Sequence, residues 1–147
     1  MFKNILVPTD GSELALRGAH LAIGLAKSLG ARVTAFHAAP DYQSGTYAGY
    51  AMEGAYFSED LGKRLEENAR AYLLAVERDC QAEDVPCKTV FTLSVRVSES
   101  IVKAAHEHDC DLIVMTSHGH TGLVGVLLGS ETQRVLAHSP VPVLVVR

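Results

Sequence analysis

The stretch Ile5-Leu6-Val7-Pro8-Thr9-Asp10-Gly11-Ser12 decides the fold, because a short apolar run ends in a polar turn and a helix start. Ser12 is typical of a helix N-cap, and Gly30 is typical of the position just past a helix end. Small and apolar residues recur between them at helical spacing: Ala15, Ala19, Ala22, Ala26 and Leu29. The stretch therefore predicts a strand followed by a helix that approaches the sheet closely through small side chains.

Four further apolar runs continue this alternation of strand and helix. They are Val33-Thr34-Ala35-Phe36, Val90-Phe91, Leu112-Ile113-Val114-Met115 and Val143-Leu144-Val145-Val146. Most of the runs are apolar on consecutive positions, as expected when helices cover both faces of a sheet. The pattern predicts βαβ units and an α/β fold with one open five-stranded parallel sheet.

Three more helices are predicted between these strands. They begin at Ser58, Ser98 and Ser130, and the first of them stops before Pro86. That helix has an apolar stripe formed by Leu61, Leu65, Ala69, Leu73 and Val76. Ser130-Glu131-Thr132-Gln133 has the spacing of a capping box, which predicts that Gln133 reaches back to the N–H of the cap residue.

Length and composition predict a single domain over residues 1–147, since 147 residues with 48% hydrophobic content suffice for one sizeable core. Residues 40–57 interrupt the alternation with three glycines and four tyrosines and have no sustained period. A connection of this length predicts a mobile loop, which is either a lid over a site or a disordered segment.

Charge, hydropathy and cysteine spacing exclude several classes of protein. The net charge of -4 and the sequence pI near 5.9 argue against a partner that is a nucleic acid. No run approaches the roughly 20 apolar residues of a membrane span, and Met1-Phe2-Lys3-Asn4 does not begin a signal peptide. Cys80, Cys87 and Cys110 lack C-x-x-C spacing, so we expect reduced thiols in the cytoplasm and assign them no role.

Two loops are expected to meet at the carboxyl edge of the sheet, where open parallel sheets bind ligands. One is Pro8–Ser12 after the first strand, and the other is the glycine-rich segment Thr116–Ser130 after the fourth. Glycines allow a close approach of backbone to phosphate, and the helix beginning at Ser130 adds the positive end of its dipole. The segment is therefore either an anion-binding cradle or a flexible loop whose glycines serve only turns.

The composition of the second loop argues against phosphoryl transfer. No Lys or Arg occurs between Lys103 and Arg134, and no Walker sequence G-x4-G-K-[ST] is present. A cradle would then depend on backbone N–H groups, hydroxyls and His118 or His120. Glu131 already occupies the positive end of the last helix, which favours AMP or ADP over ATP.

The histidines do not form a recognisable metal site. His106 and His108 are two apart on a helix and face different ways, and His118 and His120 share a loop without further ligands. His37, at the end of the second strand, is predicted to be a hydrogen-bonded residue rather than a general base. A nucleophile elbow G-x-S-x-G is absent, so hydrolase chemistry has no visible basis.

Four segments of the chain match one protein family. They are Ile5–Ser12, Asp111–Met115, Gly129-Ser130 followed by Arg134-Val135-Leu136, and Pro140–Val146. On these segments the chain resembles the universal stress protein family over nearly its whole length. The resemblance implies a Rossmann-like sheet of the adenine-nucleotide α-hydrolase type, with strand order 3-2-1-4-5. It also implies a homodimer through Val143–Arg147, which would cover the apolar edge of the last strand.

ATP-binding members of that family have the glycine pattern G-x2-G-x9-G followed by Ser or Thr. Gly119 and Gly129-Ser130 occupy the second and third places of this pattern, and Thr116 occupies the first. A β-branched side chain at Thr116 either crowds a nucleotide or hydrogen-bonds to it.

The resemblance also implies a binding site for ATP, ADP or AMP, with Mg²⁺ accompanying ATP. Its residues are Pro8, Thr9, Asp10, Ala38, Met115, Thr116, His118, Gly119, Gly129, Ser130, Glu131 and Thr132. Pro8 and Asp10 would border adenine and ribose, and Ala38 would offer its backbone to the base. Gly119, Gly129, Ser130 and Thr132 would meet phosphates. Asp10 either accepts hydrogen bonds from ribose hydroxyls or serves only its turn.

Three functions follow, in decreasing order of support. The first is a non-enzymatic stress-response protein whose bound nucleotide orders the 40–57 loop. The second is an interaction protein of the same fold without nucleotide, favoured by Thr116, Glu131 and the lack of basic residues. The third is an adenylating or ATP-pyrophosphatase enzyme, which needs a loop like S-G-G-x-D-S where this chain has Thr9-Asp10-Gly11-Ser12-Glu13.

Overall fold

A computed structural model of the chain describes residues 1–41, 59–118 and 128–147. The strands are β1 Asn4–Pro8, β2 Arg32–Ala39, β3 Cys87–Leu93, β4 Leu112–Thr116 and β5 Val143–Val146. The helices are α1 Glu13–Leu29, α2 Glu59–Ala82, α3 Val97–Glu107 and α4 Ser130–His138. Most of the predicted loop at 40–57, together with Gly119 and His120, lies outside the described residues.

The five strands form one parallel sheet in the order β3-β2-β1-β4-β5, which confirms the predicted fold class and strand order. Helices α1 and α2 cover one face, where Ile5 and Val33 lie in the core. Helices α3 and α4 cover the other face, where the core includes Leu6, Phe36 and Ile113. The strand order reverses between β1 and β4, so the carboxyl ends of these two strands mark the expected ligand crevice.

Helix α1 has the predicted ends and the predicted buried face. Ser12 Oγ accepts a hydrogen bond from Ala15 N at 3.1 Å, and Gly30 has the left-handed φ of 65°. The small side chains on the sheet side are buried: Ala15, Gly18, Ala19, Ala22 and Ala26. The helix therefore lies close to β1 and β4, and its first turn is fixed beside the end of β1.

Three helices end in the same way at the amino edge of the sheet. In α1, Ala31 N donates to Ala26 O at 2.8 Å around the left-handed residue Gly30. The equivalent left-handed residues after α2 and α3 are Asp84, with φ of 55°, and Asp109, with φ of 51°. These are Schellman motifs, which satisfy the last helical carbonyls and return the chain directly to the sheet.

Strand β3 extends beyond the predicted Val90-Phe91 at both ends. The sequence pattern missed its ends because β3 is an edge strand with polar, exposed residues. Its residues Lys88 and Thr89 are exposed, so the strand lacks the continuous apolar run of the central strands. In the described part of the chain, no helix combines the length and apolar character needed to cross a bilayer.

The capping box predicted at Ser130 is wrong. Gly129 is the N-cap of α4, and Ser130 is already the first helical residue. Gln133 Nε2 donates instead to Leu128 O at 2.8 Å, because a glycine cap offers no side chain for a reciprocal bond. Helix α3 begins at Val97, one residue before the predicted Ser98.

Candidate functional site

The turn after β1 is fixed by its own polar side chains. Thr9 N donates to Phe36 O on β2 at 2.8 Å, and Thr9 Oγ1 accepts from Gly11 N at 3.2 Å. Asp10 Oδ1 accepts from Ser12 N at 3.0 Å, which is the bond of an Asx turn. Asp10 is half-buried, so its carboxylate is held at the carboxyl edge of the sheet while still contacting solvent.

His37 and Tyr72 flank this turn on the α2 side. His37 Nδ1 donates to Thr9 O at 2.7 Å, which confirms the prediction that His37 is hydrogen-bonded near the sheet end. The Tyr72 ring meets the His37 ring edge-on, with centroids 5.3 Å apart. Gly11 has φ of 78°, and a Cβ placed there would overlap the Tyr72 ring. Sequence reasoning missed Tyr72, although it lies seven residues after Leu65 and so on the same side of α2.

Thr116 directs its side chain toward α1. A Cβ placed at Gly18 of α1 would lie 2.7 Å from Thr116 Cγ2, so the methyl group packs against that glycine. Thr116 Oγ1 donates to His118 O at 2.7 Å. The side chain in the first glycine place of the family pattern is therefore occupied by contacts with Gly18 and His118 O.

The start of α4 is bonded directly to the end of β4. Gly129 N donates to Ser117 O at 2.7 Å, and a Cβ at Gly129 would lie only 3.1 Å from that oxygen. Thr132 is buried, and its hydroxyl donates to Thr116 O at 3.0 Å. The Thr132 hydroxyl proton is therefore committed to the strand carbonyl, and the expected contact of Thr132 with phosphate stays a prediction.

Glu131 caps a neighbouring helix. Its Oε2 accepts from Ser98 N in the first turn of α3 at 2.7 Å, and its Oε1 accepts from Arg134 at 2.6 Å. The N-cap position of α3 is Arg96, which makes no side-chain cap bond in the described structure. Glu131 therefore satisfies one of the unpaired N–H groups of α3, and both of its carboxylate oxygens are engaged by protein groups.

The remaining predicted site residues differ in how deeply they are buried. Pro8 and Ala38 are half-buried at the ends of β1 and β2. The Met115 side chain lies in the core on the α3 and α4 face, so it does not line the crevice. His118 Nδ1 lies 3.1 Å from Ser117 Oγ, and within the described residues its Nε2 is buried without a hydrogen-bond partner. Gly119 lies outside the described residues.

The sequence matches the model of the Universal stress protein family over residues 1–147. The chain belongs to that family. A universal stress protein of Thermus aquaticus is 38% identical over 152 residues, and the alignment covers 100% of both chains. The assignment of family therefore extends over the whole sequence.

Solved structures support the same family fold. The hypothetical protein MJ0577 has a TM-score of 0.82 and 29% identity, with 99% of this chain and 96% of that chain covered. A universal stress protein solved in complex with cAMP has a TM-score of 0.69 and 22% identity, with 99% and 97% covered. The second likeness concerns the fold alone, and cAMP is the ligand of that protein.

In this universal stress protein, the bond from Glu131 to Ser98 leads to a prediction about stability. We expect Glu131→Ala to lower the free energy of unfolding by about 1–2 kcal/mol, because a helix-capping acceptor is lost. Glu99→Ala is the matched control, since Glu99 is also a first-turn carboxylate, and its pair with Arg96 lies on an exposed surface. The control should cost about 0.5 kcal/mol or less. Urea unfolding followed by circular dichroism measures both, and equal losses would contradict the capping role.

Proposed function

We propose that this universal stress protein binds an adenine nucleotide at the carboxyl edge of β1 and β4 and acts in the stress response without catalysing a reaction. The base and ribose would lie against Pro8, Asp10 and Ala38. The phosphates would lie at Gly129 and Ser130, together with Gly119 by analogy with the family pattern.

The start of α4 is the observation that supports this proposal most strongly. It lies at the point where the strand order reverses, and its N-cap is Gly129, which makes no side-chain cap bond in the described structure. A first turn with no capping side chain keeps N–H groups for an anion, and the helix dipole favours negative charge there. The close contact of Gly129 with Ser117 O also fixes the position of this turn.

The turn after β1 fits a nucleoside at the same edge. Pro8 on β1 pairs with Phe36 on β2. Asp10 follows Pro8 by two residues and Ala38 follows Phe36 by two residues, so both lie at the same edge of the sheet. The bond from Ser12 N fixes the Asp10 carboxylate, whose oxygens can accept hydrogen bonds from ribose hydroxyls. The cAMP complex of a protein with this fold supports an adenine nucleotide as the class of ligand.

Charge favours binding over catalysis. The segment between Lys103 and Arg134 supplies no cationic side chain to stabilise the charge that develops in phosphoryl transfer. Glu131 and Thr132 are occupied by protein contacts and do not supply a base or a metal ligand. AMP or ADP should therefore bind at least as tightly as ATP, and any role of Mg²⁺ should be confined to ATP.

The hydroxyl contacts also favour a second function, a protein-interaction role without nucleotide. Thr116 and Thr132 both direct their hydroxyl protons to backbone carbonyls of the protein. Because these side-chain donors already bond to the protein, mainly backbone groups of the crevice remain to bind a ligand. Under this alternative, the surface at the carboxyl edge would contact a partner protein.

A calorimetric titration separates the two functions. Nucleotide-stripped protein is titrated with AMP, ADP and ATP, each with and without Mg²⁺. We expect a Kd in the micromolar range and a loss of tenfold or more for Asp10→Asn, a change of about 1.4 kcal/mol or more. Asparagine keeps the acceptor for Ser12 N and removes the charge, so the variant tests the carboxylate rather than the turn. The control is Gly24→Ala at an exposed position of α1, and this variant should bind as the wild type does.

Thr116→Gly completes the glycine pattern of the family and belongs in the same titration. Because the Thr116 side chain packs against Gly18, its removal should not improve affinity. Absence of binding by the wild type up to millimolar nucleotide would refute the proposal and leave the interaction role.

We also propose the homodimer and the single domain over residues 1–147. Strand β5 is an edge of the sheet, and Leu144 on it and Leu136 on α4 are exposed. Pairing with a second copy through Val143–Arg147 would cover this apolar edge.

A further inference from the structure

The ring of Tyr72 on α2 lies against the turn that carries Asp10. Gly11, with φ of 78°, is the point of contact, and a Cβ placed there would overlap Tyr72 Cδ1, Cε1 and Cγ. Gly11 stands between Asp10 and Ser12, and the hydrogen bond from Ser12 N to Asp10 Oδ1 closes the turn across it. The ring therefore contacts the turn at the residue next to the proposed ribose acceptor.

The residue on the other side of Asp10 is held as well. His37 Nδ1 donates to Thr9 O at 2.7 Å, so the end of β2 fixes the start of the turn. The Tyr72 ring meets the His37 ring edge-on with centroids 5.3 Å apart, and the Phe91 ring stacks on His37 with centroids 6.2 Å apart. Tyr72 thus supports the turn both directly and through His37.

Tyr72 lies outside the fully buried part of α2. The helix contributes Leu73 and Val76 to the core on the α1 and α2 face, whereas Tyr72 is half-buried. A truncation at Tyr72 should therefore leave the packing of α2 on the sheet in place and remove the support of the turn. The effect of this side chain on ligand binding can then be measured in a folded protein.

We propose that Tyr72 is a positioning residue of the nucleotide site, whose ring holds the Thr9–Ser12 turn so that the Asp10 carboxylate is in place for the ribose hydroxyls before the ligand arrives. This role rests on the proposed function, since it concerns the same site. A carboxylate that is fixed in advance loses less conformational freedom on binding, so the ring contributes to affinity without contacting the nucleotide.

Calorimetric titration of the full-length, nucleotide-stripped protein with AMP tests this role. We expect Tyr72→Ala to weaken binding about fivefold or more. Tyr72→Phe keeps the ring and should bind as the wild type does. Tyr72→Leu repeats the measurement with a side chain that favours helix but lacks the flat ring, and it should also bind more weakly. Leu74→Ala is the matched control, because it truncates an exposed apolar side chain of the same helix and should leave affinity unchanged.

A double-mutant cycle with Asp10→Asn tests whether Tyr72 acts through the carboxylate. If it does, Tyr72→Ala should cost little further affinity in the Asp10→Asn background, whereas independent losses would multiply. Wild-type affinity in Tyr72→Ala and Tyr72→Leu, or full multiplication of the two losses, would overturn the positioning role and leave the proposed function standing. Absence of AMP binding by the wild type would overturn both.

Discussion

Replacing Phe36 with alanine should lower the free energy of unfolding by about 3–5 kcal/mol, the largest effect expected in this protein. Phe36 is 2% exposed and heads the fully buried side chains by volume. It lies on β2 and packs with Leu6, Ile101 and Ile113 between the sheet and α3. The loss combines the transfer of a large apolar side chain with the cavity that remains.

Phe91 provides the comparison for this measurement. It lies on the edge strand β3, is 37% exposed, and stacks on His37 rather than filling the core. Phe91→Ala should therefore cost less than half as much as Phe36→Ala. Urea denaturation gives both values, with the m-value checking that each variant unfolds from a similarly compact state. Similar losses for the two variants would mean that the α3 face is not packed as described.

Gly11→Ala should lower the free energy of unfolding by about 2–4 kcal/mol, the second large effect. One part, about 1 kcal/mol, arises because an L-residue at φ of 78° is strained. The rest, about 1–3 kcal/mol, arises because the new methyl group overlaps the ring of Tyr72. Thermal or urea unfolding measures the sum.

Gly24→Ala is the matched control for this substitution. Gly24 lies in the middle of α1 and is exposed, and an added Cβ there would meet no described atom within 4 Å outside the backbone of its own helix. Alanine there should raise stability by about 0.5–1 kcal/mol. The same chemical change is thus expected to have opposite signs at two positions thirteen residues apart in one strand-to-helix segment.

A double-mutant cycle separates the two causes at Gly11. In a Tyr72→Ala background the overlap is removed, so Gly11→Ala should cost only the part due to backbone strain. If the substitution costs the same in both backgrounds, Tyr72 does not lie against the turn and the described contact is wrong.

Local sequence signals predicted most of the fold. Ser12 and Gly30 mark the ends of α1, and the apolar runs of β1 and β4 were recognised because central parallel strands are apolar at consecutive positions. The same criterion shortened β3, where Lys88 and Thr89 are exposed at the sheet edge. The strand order came from the resemblance to a family, since apolar runs alone do not order a sheet.

The candidate site was less predictable because its decisive contacts are long-range. Thr116 packs against Gly18, and Glu131 caps α3 through Ser98, contacts that no local spacing indicates. Helix termini and turns can be predicted from local sequence. The contacts of a side chain also depend on residues that are distant in sequence and that the fold brings next to it.

Because the three Schellman turns all lie at the amino edge of the sheet, this edge should tolerate insertions and deletions less well than the carboxyl edge. Residues 30–31, 83–86 and 108–111 join α1, α2 and α3 to the following strands, and each connection sets the register of the strand it starts. An insertion there would displace a strand against its neighbours. On the opposite edge, β2 ends at Ala39 and β4 at Thr116, and the helices that follow them begin at Glu59 and Ser130. Lineages of this fold should therefore diverge in length at that edge, and it is where a designer could graft a foreign peptide without disturbing the sheet.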